Sequence, residues 1–240
     1  MSAVVTDDGS EDGTAQALET LADVEVLEGD GSLYWAAGMA VAERRAVRGK
    51  PGFLLWLNDD TILDQDALSR LLATADLHPG AIVVGATRDP LSGDLTYGGR
   101  RRTSKWHVQR FERLPVRDVV QSADTFNGNA VLVPFAVQRR VGPIDDRYPH
   151  AYADDDYGLR ANQLGIPILQ AAGTVGACPA NLPPPHRLMG LSAWRYEQQP
   201  KRHPLAAQWR FWRRHGGSAW PLILLAQEVS RVLGRERLIR

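Results

Sequence analysis

From residue 3 to residue 85 short apolar runs alternate with stretches of helical periodicity, and this alternation limits the fold more than any other feature. Ala3-Val4-Val5-Thr6, Val24-Glu25-Val26-Leu27, Phe53-Leu54-Leu55-Trp56-Leu57 and Ala81-Ile82-Val83-Val84-Gly85 read as strands. Between them, residues 15–21, 33–46 and 64–75 carry apolar side chains at helical spacing, and Gly49-Lys50-Pro51-Gly52 closes the second of these helices. Such alternation predicts an α/β sheet built with right-handed crossovers. The run Phe53 to Leu57 is apolar at every position, the pattern of a strand covered on both faces in a parallel sheet.

Beyond residue 87 the alternation dissolves into Gly, Arg and polar residues until about residue 119, with an irregular or hairpin region near Trp106. The Arg100-Arg101-Arg102 run there reads as a solvated loop more readily than as an acceptor contact. Phe126-Asn127-Gly128-Asn129-Ala130-Val131-Leu132-Val133-Pro134 predicts one strand, residues 135–141 a short helix, and residues 156–164 a second helix with Gly165 as its cap. Ile166-Pro167-Ile168-Leu169 predicts a late strand. The C-terminal part mixes Trp194, Trp209, Phe211, Trp212 and Trp220 with many Arg residues. Basic and aromatic residues beside an apolar stripe suit an anionic lipid surface. The same pattern suits a helix packed on the domain or on a second copy in a homodimer, and Glu228 and Glu236 on the basic face favour that packing.

Composition narrows the function classes. Lys+Arg and Asp+Glu both number 28, so no net field argues for nucleic acid, and none is expected as a partner. The lone Cys178 excludes an internal disulfide framework and suits a reducing compartment. Asp7 arrives too soon for the apolar core of a signal peptide, and no apolar run approaches the ~20 residues of a spanning helix. The expected location is cytoplasmic, with peripheral membrane contact as the variant.

Asp7-Asp8, Asp59-Asp60 and Asp154-Asp155-Asp156 stand at expected strand ends or a helix start. Each alone has a plain reading as a turn or helix cap. Brought to one sheet edge, they would suit a sugar- or phosphoryl-transfer site. There one cluster would accept hydrogen bonds from a nucleoside, another would hold a cation beside a diphosphate, and the last would take a proton.

Asp7-Asp8-Gly9-Ser10-Glu11-Asp12-Gly13-Thr14, Leu57-Asn58-Asp59-Asp60, Phe126-Asn127-Gly128-Asn129-Ala130 and Ala153-Asp154-Asp155-Asp156-Tyr157-Gly158-Leu159-Arg160 follow one another in an order that resembles family 2 glycosyltransferases. The resemblance covers about residues 4 to 175 and lacks that family's usual first strand and helix. It implies a GT-A fold, α/β with a mostly parallel Rossmann-like sheet flanked by helices. Residues 1–180 would form the transferase domain and residues 181–240 a helical, basic and aromatic extension.

Carried over, Asp8 with Asp7 would contact the base and ribose, and Gly31, Trp35 and Gly38 would lie along the donor in a Gly-rich stretch. Asn58, Asp59 and Asp60 stand at the family's metal motif, so Asp60 with Asp59 would hold a nucleotide-diphosphate sugar through Mg or Mn. His186 is a further candidate ligand, weighed against a surface His after a Pro run. Asp154 falls at the general base and Asp155 beside it, while Ala153 stands where the family carries an acid. The implied reaction is inverting transfer to a hydroxyl of a glycan or lipid-linked acceptor. A nucleotidyltransferase and a non-catalytic glycan-binding scaffold are the alternatives.

Overall fold

A computed structural model describes residues 1–181, 188 and 190–233. The chain opens with strand β1 (Ala3–Asp7), helix α1 (Thr14–Glu19), strand β2 (Val24–Glu28) and helix α2 (Tyr34–Ala46). β1 and β2 pair in parallel, from Ala3 opposite Val24 to Asp7 opposite Glu28, and form a two-stranded sheet of their own. Strands β3 (Phe53–Leu57) and β4 (Ile62–Leu63), helix α3 (Ala67–Leu77) and strand β5 (Ile82–Arg88) follow. Then come β6 (Leu95–Tyr97), β7 (Gly99–Arg102), β8 (Phe111–Arg113), β9 (Gln121–Ser122), β10 (Thr125–Phe126) and β11 (Ala130–Pro134). Helices α4 (Phe135–Val141) and α5 (Ala153–Gln163) lead to β12 (Ile168–Ala177) and the helices α6 (Gly190–Glu197), α7 (Leu205–His215) and α8 (Trp220–Val232).

The main sheet has seven strands in the order β3-β11-β5-β12-β4, with β6 beside β5 and β9 beside β12. Its central strands β5 and β11 are buried on both faces, whereas β3 buries Leu54 and Trp56, half-buries Phe53 and Leu55 and exposes Leu57, and alternate residues feed different layers. Val83, Ala130 and Leu132 face α3 through Ala67, Leu71 and Ala75. Ile82, Val84, Val131 and Val133 face a larger cluster shared with α2, α4, α5 and the last helices. The α/β architecture is the expected one, but the pairing differs. Among the described residues β5 and β12 are the only neighbours in the main sheet that pair in parallel, and β3 pairs antiparallel with β11. The unbroken apolar run of β3 overstates its cover, which alternates and ends at exposed Leu57, and it carries no information about the direction of its neighbour.

Three boundaries move for identifiable reasons. The segment 125–134 is two strands, because β10 pairs with β7 in a separate three-stranded sheet and the chain crosses at Asn127-Gly128-Asn129 to reach β11. Helix α3 begins at Ala67, since Ile62 and Leu63 pair with β12 and the Asp64 carboxylate is gripped by both Arg88 nitrogens at 2.9 and 2.7 Å. Helix α5 begins at Ala153, which puts Asp154, Asp155 and Asp156 all in its first turn.

In the C-terminal region Phe211 and Trp212 are fully buried in the same cluster as Trp56 of β3. Glu228 is buried between Arg231, Trp194 and Gln208. Leu222, Leu225 and Val229 on α8, and Leu233 just past its end, are left outward. Among the described residues no helix is long and apolar enough to cross a membrane.

Candidate functional site

A cleft of about 2900 Å³ runs the length of β1 and β3 to the turns at their carboxyl ends and is lined by residues 1–8 and 53–60 without a break. It exceeds the few hundred Å³ of an ordinary small-molecule pocket because it includes the groove along both strands as well as the carboxylate-lined end. Among the described residues β1 bonds only β2 and β3 bonds only β11, so the second edge of each strand borders this space.

On one side the turn after β1 carries Asp7 and Asp8. Asp7 is buried and accepts the Ser10 N–H at 2.9 Å. Asp8 spreads its two oxygens between backbone donors, the Gly31 N–H at 2.8 Å and the Tyr34 N–H at 3.0 Å. This ties the Asp-Asp turn to the loop that begins α2. A Cβ on Gly29 would lie 2.5 Å from Asp8 Oδ1 and 2.9 Å from Asp8 Cα, so that approach requires glycine. Gly38 is buried where α2 meets β1, its carbonyl accepting the Thr6 hydroxyl at 2.9 Å.

Across the cleft, β3 ends in a turn that exposes Asp59 and Asp60. Asn58 Oδ1 accepts the Trp35 indole N–H at 2.7 Å. Asp60 Oδ1 is 3.3 Å from the thiol of buried Cys178, whose own ionisation is pushed up by burial. Among the described residues no three His, Cys, Asp or Glu side chains gather into a ready cation cage. Two hard carboxylates on the cleft wall fit Mg or Mn of the kind that keeps waters and shares substrate phosphates. His186 lies outside the described residues.

The third cluster enters from α5. Asp154 Oδ2 accepts the Gly128 N–H at 3.2 Å. A Cβ on Gly128 would sit 2.4 and 2.6 Å from Trp35 ring carbons, so Trp35 is wedged between the Asn58 side and the Asp154 side. Asp155 is buried and paired with Arg100 at 2.6 Å. Burial pushes its carboxyl up to about 7, the charge of Asp154 adds to this, and the Arg100 guanidinium opposes it. Asp156 is fully buried and is turned away from the cleft onto Arg160, Arg214 and His215 at 2.8, 2.7 and 2.9 Å.

Asp7, Asp8, Gly31, Trp35, Gly38, Asn58, Asp59, Asp60, Asp154 and Asp155 thus all line one cleft. Several contributors gave little sign in the sequence. Arg100 lies in a run that reads as solvated, yet it is half-buried on Asp155 and stacks on Phe111 at 4.7 Å. Gly128 and Cys178 show their roles only through neighbours distant in the chain. The signal available for Gly128 was its place between two Asn residues just ahead of an apolar strand.

Residues 2–139 match the family described as Glycosyl transferase family 2. No curated protein matches the chain. Among solved structures, one of GalNAc-T7 with UDP, GalNAc and Mn2+ is similar at a TM-score of 0.58 and 13% identity. The alignment covers 96% of this chain and 52% of that one, so the chain spans about half of its length. At that identity the likeness concerns the fold.

Proposed function

The chain belongs to glycosyl transferase family 2, and from that premise we propose that it moves a sugar from a nucleotide-diphosphate donor to an acceptor hydroxyl with inversion. The observation that carries the proposal is the meeting of three carboxylate groups, from the ends of β1 and β3 and the start of α5, in one cleft.

Asp8, held by the Gly31 and Tyr34 amides, presents its acceptor face to the base and ribose together with Asp7. Gly31, Trp35 and Gly38 form the wall along the donor, and Asn58 orients the Trp35 indole. Asp60 with Asp59 would hold a divalent ion, which when bound neutralises charge on the leaving diphosphate. Asp154, fixed by the Gly128 N–H, accepts the proton of the acceptor hydroxyl as that oxygen bonds to the anomeric carbon from the face opposite the diphosphate. The Asp155 backbone N–H holds the other Asp154 oxygen at 2.8 Å, while the Asp155 carboxylate stays behind it, locked to Arg100. The glycan or lipid-linked acceptor would enter on the Asp154 side. The GalNAc-T7 structure was solved with UDP, GalNAc and Mn2+, a combination of the same chemical kind.

The test is Asp154→Asn, assayed by release of nucleoside diphosphate from a panel of nucleotide sugars. Transfer should fall at least ~100-fold, the usual worth of a positioned base, with nucleotide binding nearly unchanged by calorimetry. Equal turnover by the variant would remove Asp154 from the role.

A further inference from the structure

The segment entering α7 and the loop before α5 build a second chemical character into the cleft. His150, Lys201, Arg202, His203 and Arg231 line it, together with Arg100 on the neighbouring hairpin. These groups form a continuous wall. The His203 ring lies 5.1 Å from Tyr152, the residue at the head of α5, and Lys201 reaches over the Tyr34 ring at 6.0 Å. Arg202 stacks on Tyr196 at 4.6 Å and donates to its hydroxyl.

Two of the cations are already matched, Arg100 by Asp155 and Arg231 by Glu228. Lys201 and Arg202 have no carboxylate at ion-pair distance among the described residues. The histidines feel this excess. His203, though exposed, is driven down to about 4 by desolvation and by Arg231, Arg202, Arg100 and His150. His150 is lowered by burial and by Lys201 and Arg202, against the pull of Asp154. His150 lies just before α5 and His203 packs on Tyr152 at its head, so this wall adjoins the Asp154 side, with Lys201 reaching from it toward Tyr34.

We propose that Lys201 and Arg202, backed by His150 and His203, form a subsite for a phosphate group carried by the acceptor. The proposal rests on the sugar-transfer reading, since it takes the Asp154 side as the acceptor side. A local excess of one sign on a cleft wall attracts ligand groups of the opposite sign, and a phosphate would give Lys201 and Arg202 charge-assisted partners.

The test uses calorimetry on the whole chain with octyl phosphate and the uncharged octyl glucoside as probes, and in parallel with nucleoside diphosphates plus Mn2+. Octyl phosphate should bind at least about tenfold more tightly than octyl glucoside, and the double variant Lys201→Ala/Arg202→Ala should lose about tenfold of that affinity. Lys201→Arg should retain it, which separates lost charge from lost fold. Nucleoside diphosphate binding should change by less than about twofold in the double variant, the least that a charged contact is worth being larger than that.

Equal binding of the two octyl probes, or octyl phosphate binding indifferent to the double substitution, overturns the subsite. Loss of nucleoside diphosphate binding by the same factor, with that nucleotide displacing octyl phosphate, assigns the cations to the donor and overturns the acceptor assignment. A wild-type chain that binds no nucleoside diphosphate sinks the sugar-transfer reading instead, and the octyl phosphate comparison still reports on the anion site.

Discussion

Residues 1–28 and the seven-stranded sheet deliver carboxylates to the same cleft from unlike foundations. In the first region only Asp7 is buried, α1 buries no side chain, and none of its residues belongs to a hydrophobic cluster. In the second, Val131, Val133, Ile82, Val83 and Val84 are all fully buried, and Asp155 and Asp156 stand on a helix pressed against them. Apolar burial is the main source of stability, so the nucleotide side is held by local hydrogen bonds while the Asp154 side is held by the core. Substitutions on the two sides should therefore fail in different ways, globally on the Asp154 side and locally on the nucleotide side.

The largest effect is expected at Asp156. It faces Arg160, Arg214 and His215 with no exposure, joining α5 to the C-terminal α7. Asp156→Asn removes the carboxylate that Arg160 and Arg214 share, leaving Arg214 only Asp145, and breaking a buried ion pair from one side costs about 3–5 kcal/mol. Urea denaturation at pH 7 measures it. The pH dependence adds a signature. Despite burial, His215, Arg160 and Arg214 hold the Asp156 carboxyl below its ordinary range. A carboxylate lowered in the folded state stabilises above its unfolded value, ~3.9, and that contribution disappears as pH falls through the folded value. The variant should therefore show a flatter acid limb below about pH 4. A loss under ~1 kcal/mol, the range of an exposed pair, would mean that α7 is not fastened to the core through this residue.

A smaller effect is expected where the two sides meet. Gly128→Ala places a methyl 2.4 Å from the Trp35 ring and should cost about 1–3 kcal/mol by overpacking. The penalty belongs to one contact, so it should nearly vanish in a Trp35→Leu background. A double-mutant cycle of denaturation curves measures that coupling. An undiminished penalty would place the strain in the Asn127-Gly128-Asn129 crossing itself.

Legibility in the sequence followed the same division. Features encoded by neighbours in the chain were readable, such as the strand endings at Asp7-Asp8 and Asn58-Asp59-Asp60 and the helix signal around Asp154. Features encoded by pairing were not. Nothing in Phe53 to Leu57 states that its partner is β11 or that the partner runs antiparallel. The Arg100-Arg101-Arg102 run hides a period of two, in which Arg100 turns to Asp155 while Arg101 is exposed on the other face. The aromatic and basic C-terminus likewise divides, with Trp212 in the core and Lys201 in the cleft, and charge counting treats both as one patch.

The smallest and most local effect is expected at Asp8, whose two oxygens satisfy the Gly31 and Tyr34 amides. Tyr34 holds a backbone φ of 53°, a left-handed conformation that needs local support outside glycine. In Asp8→Asn one accepting oxygen becomes a donor, so one amide loses its partner at a cost of about 1 kcal/mol. Because residues 1–28 share no apolar cluster with the main sheet, that cost should stay near the Asp8 turn and the loop entering α2. Hydrogen exchange should quicken several-fold at Gly31 or Tyr34, as a penalty of about 1 kcal/mol requires, and leave Val83 and Val131 unaltered. Equal acceleration at Val83 would show that the two regions open as one unit, and the contrast between a hydrogen-bonded side and a core-bound side would then be withdrawn.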